Sequence, residues 1–215
     1  LTAGLPELRQ ACADWLQRRY DGLTVNPDTE VLPVLGSREA LFSFVQAVLN
    51  PVSDDLKPVV LSPNPFYQIY EGAAILGGGE IRFANCPAPS FKPDWKSIAE
   101  DVWQRTKVMF VCSPNNPSGS VLQLEDWQEI FDLQDKYGFI IASDECYSEI
   151  YFDGNKPIGG LQAAAQLGRG NRNIVMFTSL SKRSNVPGLR SGFVAGDAEL
   201  LKNFLLYRTY HGSAM

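Results

Sequence analysis

Polar side chains that could do chemistry follow an apolar run late in the chain. In "NIVMFTSLSKRSNVPGLRSG", residues 173–192, the run ends at Ser179, and Ser181 and Lys182 come next. Arg190 follows eight residues after the lysine. A lysine amine can form a Schiff base with a carbonyl group, and serine hydroxyls with an arginine can hold an anion. A strand end that reaches water also carries lysine and serine, so this stretch alone does not decide the function.

Polar or aromatic residues also follow other apolar runs. "KVMFVCS" is followed by "PNNPSG", which contains Asn116, and "FIIAS" is followed by Asp144, with Tyr147 one helical turn later. "PVVLS" is followed by "PNPFY", which contains Tyr67. Each group alone has an ordinary explanation, as a turn, a helix cap or a half-buried aromatic residue.

A helix start supplies one more group. "VLPVL" is followed by "GSREAL", in which Gly36, Ser37 and Arg38 open a helix. Capping explains this pattern, although the free N–H groups of a helix start also bind phosphate. In open α/β sheets, ligands bind beyond the carboxyl ends of the strands, so we expect all of these groups to meet at one edge of the sheet.

The elements that would position these residues alternate along the chain. Helical periodicity predicts helices over 6–20, 37–51 (with a stop at Asn50-Pro51), 66–79, 93–105, 124–138, 161–168 and 198–210. Apolar runs predict strands over 31–35, 58–62, 80–84, 107–113, 139–145, 173–179 and 191–196. Continuous apolar strands between helices are typical of a mostly parallel sheet covered on both faces. The strand over 191–196 is the candidate for an antiparallel one, because the connection before it lacks a helical period. The sequence therefore predicts a single α/β domain, a three-layer sandwich with a mostly parallel mixed sheet.

Composition excludes several classes of partner. The chain is 45% hydrophobic, which is enough to bury a core, and its net charge of -5 without a basic stripe argues against nucleic acid. The single histidine, His211, excludes a His-rich metal site and disfavours a Ser-His-acid triad. No apolar run has membrane-spanning length, and the first residues lack the shape of a signal peptide. The scattered cysteines suit free thiols in a reducing cytoplasm.

Together, the residues at the strand ends match the needs of one kind of cofactor. An aldehyde that carries a phosphate, a pyridine nitrogen and a phenolic oxygen needs a lysine to form a Schiff base and a carboxylate to keep the ring nitrogen protonated. It also needs donors for the phenolic oxygen, an aromatic ring against one face and an anion site for the phosphate. All five kinds of group are present.

The chain resembles the pyridoxal-phosphate (PLP) enzymes of fold type I, in the class I/II aminotransferase superfamily. The motifs "GSREAL", "PNPFYQIYEGAA", "NNPSG", "SDECY" and "SLSKRSNVPGLRSG" carry this resemblance and cover nearly the whole chain. The resemblance implies pyridoxal 5'-phosphate as cofactor, amino-acid and 2-oxo-acid substrates, and a homodimer. It also implies that residues 1–215 are the PLP-binding large domain, with an N-terminal arm and a small C-terminal domain outside this stretch.

The resemblance also implies a role for each residue. Lys182 would bind the cofactor covalently, and Asp144 would contact its ring nitrogen. Tyr147 and Asn116 would hold the phenolic oxygen, and Tyr67 would stack on the ring. The other residues expected to bind the cofactor, mostly around its phosphate, are Gly36, Ser37, Arg38, Ser179, Ser181 and Arg190.

Within the superfamily, "SPNPFYQIYEGAA" and "SLSKRSNVPGLRSGF" are most similar to the succinyldiaminopimelate aminotransferases of bacterial lysine biosynthesis. The implied reaction transfers an amino group between N-succinyl-diaminopimelate and 2-oxoglutarate in the cytoplasm. Four alternatives stay open at this point. They are an aminotransferase for another amino acid, a PLP-dependent C–S lyase, an aminotransferase-like ligand-sensing domain of a regulator, and a fragment that binds the cofactor without activity.

Overall fold

Seven strands form one mixed sheet in the computed structural model, which describes residues 2–49 and 56–211. The strands are β1 (Val31–Val34), β2 (Val59–Asn64), β3 (Glu80–Asn85), β4 (Thr106–Cys112), β5 (Ile140–Asp144), β6 (Ile174–Ser179) and β7 (Gly192–Gly196). Their order across the sheet is β1-β7-β6-β5-β4-β2-β3. Strand β7 runs antiparallel to both β6 and β1, and the other pairs are parallel. The mostly parallel sheet and its antiparallel strand are as the sequence predicts.

Helices connect most of these strands. They are α1 (Pro6–Arg19), α2 (Ser37–Val48), α3 (Ile69–Leu76), α4 (Glu100–Arg105), α5 (Leu124–Tyr137), α6 (Gly160–Gln166), α7 (Leu180–Arg183) and α8 (Ala198–Arg208). Two 3₁₀ turns, Trp95–Ser97 and Pro187–Leu189, complete the described elements. The predicted stop at Asn50-Pro51 lies outside the described residues.

The helices form two layers, one on each face of the sheet. One core contains Leu16 of α1 and Trp127 of α5, and the other contains Phe44 of α2 and Phe204 of α8, all of them 0% exposed. Phe44 packs edge-to-face against Phe177 of β6 and against Phe204, with ring centroids 5.3 and 5.5 Å apart. The two cores with the sheet between them confirm the three-layer sandwich.

The predicted helix over 93–105 is wrong in its first half. A 3₁₀ turn stands there instead, and Ala99 is extended, with ψ of 149°, so that α4 begins only after it. The N–H and the hydroxyl of Ser97 both donate to the carbonyl oxygen of Asp94, and this local bond competes with a continuous helix. The Trp95 side chain is 5% exposed, and its burial fixes the turn.

Parallel pairing in the middle of the sheet brings the predicted site residues together. In the register of β4 and β5, Cys112 lies opposite Asp144, and in that of β5 and β6, Asp144 lies opposite Phe177. The segments that carry Asn116 and Lys182 therefore leave the sheet on either side of Asp144, at the same edge.

Candidate active site

A cavity of about 530 Å³ lies at this edge of the sheet. Of the residues that the sequence singles out, the cavity is lined by Ser37, Arg38, Tyr67, Asn116, Asp144, Tyr147, Ser181, Lys182 and Arg190. The four further residues that line it are Tyr70, Cys112, Cys146 and Pro187. Gly36 and Ser179 are not among the lining residues.

Asp144 is the last residue of β5 and the one acid among the described residues that line the cavity, with 5% exposure. Its Oδ2 accepts a hydrogen bond of 2.7 Å from the Tyr70 hydroxyl, and its Oδ1 accepts one of 3.3 Å from the Cys146 backbone N–H. Burial raises the pKa of Asp144, and hydrogen bonds from the Tyr70 hydroxyl and from the side chain and backbone N–H of Cys146 oppose the rise. A cation placed against the carboxylate would favour its charged form further.

Tyr70 is the contact of Asp144 that the sequence prediction missed. Its ring is 1% exposed and stacks on Phe110 of β4, with centroids 4.1 Å apart and planes 15° apart. Tyr67, one turn earlier, meets Tyr70 edge-to-face at 5.9 Å and faces the cavity. The two tyrosines, three residues apart, thus differ: Tyr70 is buried against Asp144, whereas Tyr67 is only partly buried.

Gly36 and Arg190 form a tight contact at the start of α2. Gly36 has φ of 87°, and a Cβ atom at this position would overlap Nη2 of Arg190. Arg190, itself in the left-handed region with φ of 50°, donates to the carbonyl oxygens of Leu35 (3.4 Å) and Pro187 (3.0 Å). Such conformations concentrate at functional sites. The guanidinium can approach the helix start only because residue 36 has no side chain.

The surroundings of this contact have the features of an anion site. Gly36 gives α2 no side-chain cap, so the positive end of a twelve-residue helix opens on the cavity. Ser37 places a hydroxyl there, and Arg190 adds a fixed positive charge. The set of donors fits a phosphate dianion.

Lys182 lies on the short helix α7, directly after β6. Ser179 caps this helix: its Oγ accepts from the Ser181 N–H at 3.1 Å and lies 3.1 Å from the Ser191 carbonyl oxygen. Ser179 is 1% exposed and caps α7 from its buried side, whereas Lys182 on the same helix is exposed. In the part of the chain that the structure describes, Lys182 has no carboxylate within ion-pair distance.

Three polar side chains complete the wall. Tyr147 is half-buried, and burial together with the charge of Asp144 raises its pKa. Asn116 is exposed on the loop after β4. Arg38 donates from Nε to the Tyr67 hydroxyl and so ties the start of α2 to the ring of Tyr67.

Glu145, the next residue after Asp144, is buried away from the cavity. It is 1% exposed and accepts hydrogen bonds from the hydroxyls of Tyr20 (2.6 Å) and Ser143 (2.8 Å) and from the Gly160 N–H (2.9 Å). Burial raises its pKa against these donors. Its partners belong to the other face of the sheet, where Tyr20 lies in the core.

The described residues contain no cluster of His, Cys, Asp and Glu side chains that could hold a metal ion. Among the described helices, none combines the length and the apolar character that crossing a membrane requires. The groups at the cavity match those that pyridoxal phosphate needs: an amine, a buried carboxylate, phenol and amide groups, a tyrosine ring and the helix start with Arg190.

The family model of class I and II aminotransferases matches residues 2–208. The chain belongs to this family. Class I and II aminotransferases use pyridoxal phosphate, the cofactor that the sequence predicts. The family thus confirms the cofactor that the sequence predicts.

Similar proteins are described as aminotransferases. An LL-diaminopimelate aminotransferase of Dehalococcoides mccartyi is 37% identical over 203 residues, which are 93% of this chain and 49% of that protein. A crystal structure of an aminotransferase from Neisseria meningitidis has a TM-score of 0.97 and 83% identity, covering 100% of this chain and 54% of the other. A probable N-succinyldiaminopimelate aminotransferase from Thermus thermophilus has a TM-score of 0.87 and 28% identity, covering 98% and 54%. The chain spans about half the length of the curated relatives it matches.

A Gly36→Ala substitution should weaken cofactor binding in the full-length aminotransferase. The added methyl group forces a strained backbone and displaces the Arg190 guanidinium. We expect the dissociation constant of pyridoxal phosphate, measured by fluorescence titration, to rise about 10- to 100-fold, since one charge-assisted bond is lost. The free energy of unfolding should fall by about 1–3 kcal/mol.

Gly72→Ala is the matched control for this substitution. Gly72 lies inside α3, and a Cβ atom there would meet nothing within 4 Å. The dissociation constant of pyridoxal phosphate for the Gly72→Ala variant should equal that for the parent protein. Parent-like cofactor binding by Gly36→Ala would show that the Gly36–Arg190 contact is not the phosphate site.

Proposed function

We propose that this chain is the cofactor-binding large domain of a PLP-dependent aminotransferase. The observation that carries the proposal is the position of Lys182 and Asp144 in one cavity, beside the anion site at the start of α2. In this proposal residues 1–215 correspond to the half of each relative that they match, and an N-terminal arm and a small C-terminal domain belong to the rest of the protein.

Pyridoxal phosphate, when bound, supplies an aldehyde and an electron-withdrawing ring that stabilises negative charge on the α-carbon of the amino acid. Lys182 Nζ would hold the cofactor through its aldehyde. Once released, the amine would remove the α-proton of the amino acid and then give it back as the acid that completes the 1,3-proton shift. Its support on the Ser179-capped helix α7 keeps the amine next to the cavity. Lys182 is thus the proposed base.

Asp144 is the proposed partner of the ring nitrogen. Its buried, doubly hydrogen-bonded carboxylate holds a proton on that nitrogen and so keeps the ring electron-poor. Tyr147 and Asn116 would hold the phenolic oxygen, and Tyr67 would cover one face of the ring. The resemblance to the aminotransferase superfamily implies these roles, and the presence of all four side chains in the cavity wall supports them.

The phosphate would lie against the start of α2. The backbone N–H groups of Ser37 and Arg38, the Ser37 hydroxyl and the Arg190 guanidinium are the proposed donors. Ser181 adds a hydroxyl on the same side, and Ser179 holds the lysine turn from behind. This arrangement orients the cofactor by its two ends.

The proposed amino donor is N-succinyl-diaminopimelate, with 2-oxoglutarate as the acceptor. The names of the relatives support a diaminopimelate substrate, and that of the Thermus thermophilus neighbour supports the succinylated form. A second, more open space of about 980 Å³ adjoins the cavity at Tyr147 and includes Lys156. The homodimer and the cytoplasmic location stay predictions.

The donor preference can be measured with the full-length protein. The assay follows glutamate formation from 2-oxoglutarate, and we expect the highest kcat/KM with N-succinyl-LL-diaminopimelate as the donor. This kcat/KM should exceed those of LL-diaminopimelate and aspartate by about tenfold or more, which is the effect of one well-placed polar contact. A preference for LL-diaminopimelate would overturn the succinylated donor but keep the aminotransferase. Pyruvate release from cystathionine without glutamate formation would indicate a C–S lyase instead.

Lys182 should be the residue that carries the cofactor. Borohydride reduction of the full-length protein, followed by proteolysis and mass spectrometry, should give a single pyridoxyl adduct on the peptide that contains Lys182. A Lys182→Ala variant should lose both the adduct and the transaminase activity. Lys202→Ala, which changes an exposed lysine on α8, should keep both. An adduct on Lys107 or Lys202 in the parent protein would overturn the assignment.

An Asp144→Ala substitution should separate binding from catalysis. Losing one charge-assisted bond costs about 1.5–3 kcal/mol of cofactor binding. The turnover number should fall much further, by about 10²–10³-fold or more, because the ring loses its protonated nitrogen. Steady-state kinetics at saturating cofactor measures this, with the exposed Asp132→Ala as control. Turnover within a few-fold of the parent protein would show that Asp144 is not the partner of the nitrogen.

A further inference from the structure

Two consecutive buried carboxylates at the end of β5 each accept a hydrogen bond from a buried tyrosine. The Tyr70 hydroxyl donates to Oδ2 of Asp144 at 2.7 Å, and the Tyr20 hydroxyl donates to Oε2 of Glu145 at 2.6 Å. The two pairs lie on opposite faces of the sheet, since Tyr70 and Tyr20 belong to different cores. Only the pair formed by Tyr70 and Asp144 lines the cavity.

Packing on both sides of the Tyr70 ring keeps its hydroxyl pointed at Asp144. It is stacked on Phe110 with centroids 4.1 Å apart and is crossed edge-to-face by Tyr67. The side chain is 1% exposed, so water does not compete for the hydroxyl. The other donor to Asp144, the Cys146 N–H, is longer, at 3.3 Å. Tyr70 therefore makes the shorter of these two bonds to the carboxylate.

We propose that Tyr70 is a positioning residue for transamination: its hydroxyl keeps the Asp144 carboxylate charged and turned towards the ring nitrogen of the cofactor. This inference rests on the proposed function. Tyr70 acts through Asp144 and not on the substrate. It extends the site from the residues at the strand ends to the buried side of α3.

The charge balance of Asp144 supports this role. Burial raises the pKa of Asp144, and the bond from Tyr70 is the largest of the effects that lower it again. Removing the hydroxyl makes the carboxylate more basic, since a donor to the charged form is lost. Without this bond, Asp144 would take up the proton more readily and would protonate the ring nitrogen less, so that the bound cofactor would be a weaker electron acceptor.

The test uses the full-length protein with the variants Tyr70→Phe and Tyr20→Phe. Both remove one hydroxyl that donates to a buried carboxylate, and Tyr70→Phe keeps the ring that stacks on Phe110. Each protein is loaded with pyridoxal phosphate labelled with ¹⁵N in the ring, and the ¹⁵N chemical shift, kcat, KM and thermal unfolding are measured.

In Tyr70→Phe the ¹⁵N resonance should move towards the value of an unprotonated pyridine. Its kcat should fall about 10- to 100-fold, the worth of one hydrogen bond to a charged group, while KM changes little. Tyr20→Phe should lose thermal stability but keep the parent resonance and kcat. In an Asp144→Ala background, Tyr70→Phe should cause no further loss of kcat, because the residue through which it acts is absent.

The outcomes distinguish this inference from the proposed function. A parent protein that binds no pyridoxal phosphate or shows no transamination would refute the proposed function itself. An active parent with an unchanged resonance and kcat in Tyr70→Phe would overturn the role of Tyr70 alone. An equal change of the resonance in Tyr20→Phe would also overturn it, because the effect would then belong to any lost buried hydrogen bond.

Discussion

The burial of a carboxylate at the end of β5 is the constraint on which the site depends. A charged Asp144 with 5% exposure is costly unless donors surround it, and the structure supplies one from α3 and one from the backbone beyond the strand. The requirement fixes Tyr70, and Tyr70 fixes the position of α3 against β4 through Phe110. The same residue, Tyr70, therefore packs α3 against the sheet and donates to the buried carboxylate at the cavity.

The alternation of side chains along β5 extends this constraint to the other face. Because successive residues point to opposite sides, Asp144 faces one core and Glu145 the other. Glu145 accepts the N–H of Gly160 at the start of α6, and a Cβ atom on Gly159 would overlap its Oε2. The carboxylate thus joins α6 and Tyr20 to the strand that carries Asp144. Both helix layers hold the end of β5 in place.

The sequence was sufficient to predict the residues at strand ends, but not those that approach from helices. Apolar runs mark the strands, and an α/β sheet places the residues after each strand at one edge, so Asp144 and Lys182 could be placed together from their positions in the chain. Tyr70 could not, because three residues separate it from Tyr67 and the sequence does not say which ring faces the cavity. The sequence could not predict that Ser179 is 1% exposed, because this burial depends on the pairing of β6 with β7. A contact of Ser179 with the phosphate stays a prediction.

Cys112 and Cys146 line the cavity with thiols that stay protonated. Burial and the charge of Asp144 raise the pKa of Cys112 to about 12, and the same causes raise that of Cys146, whose Sγ donates to the Ser37 hydroxyl at 2.9 Å. Oxidants and electrophiles react with thiolates and not with thiols. A cavity with two sulfur atoms in its wall is in this way protected chemically. In the proposed function, neither thiol competes with the amine of Lys182 for the aldehyde of the cofactor.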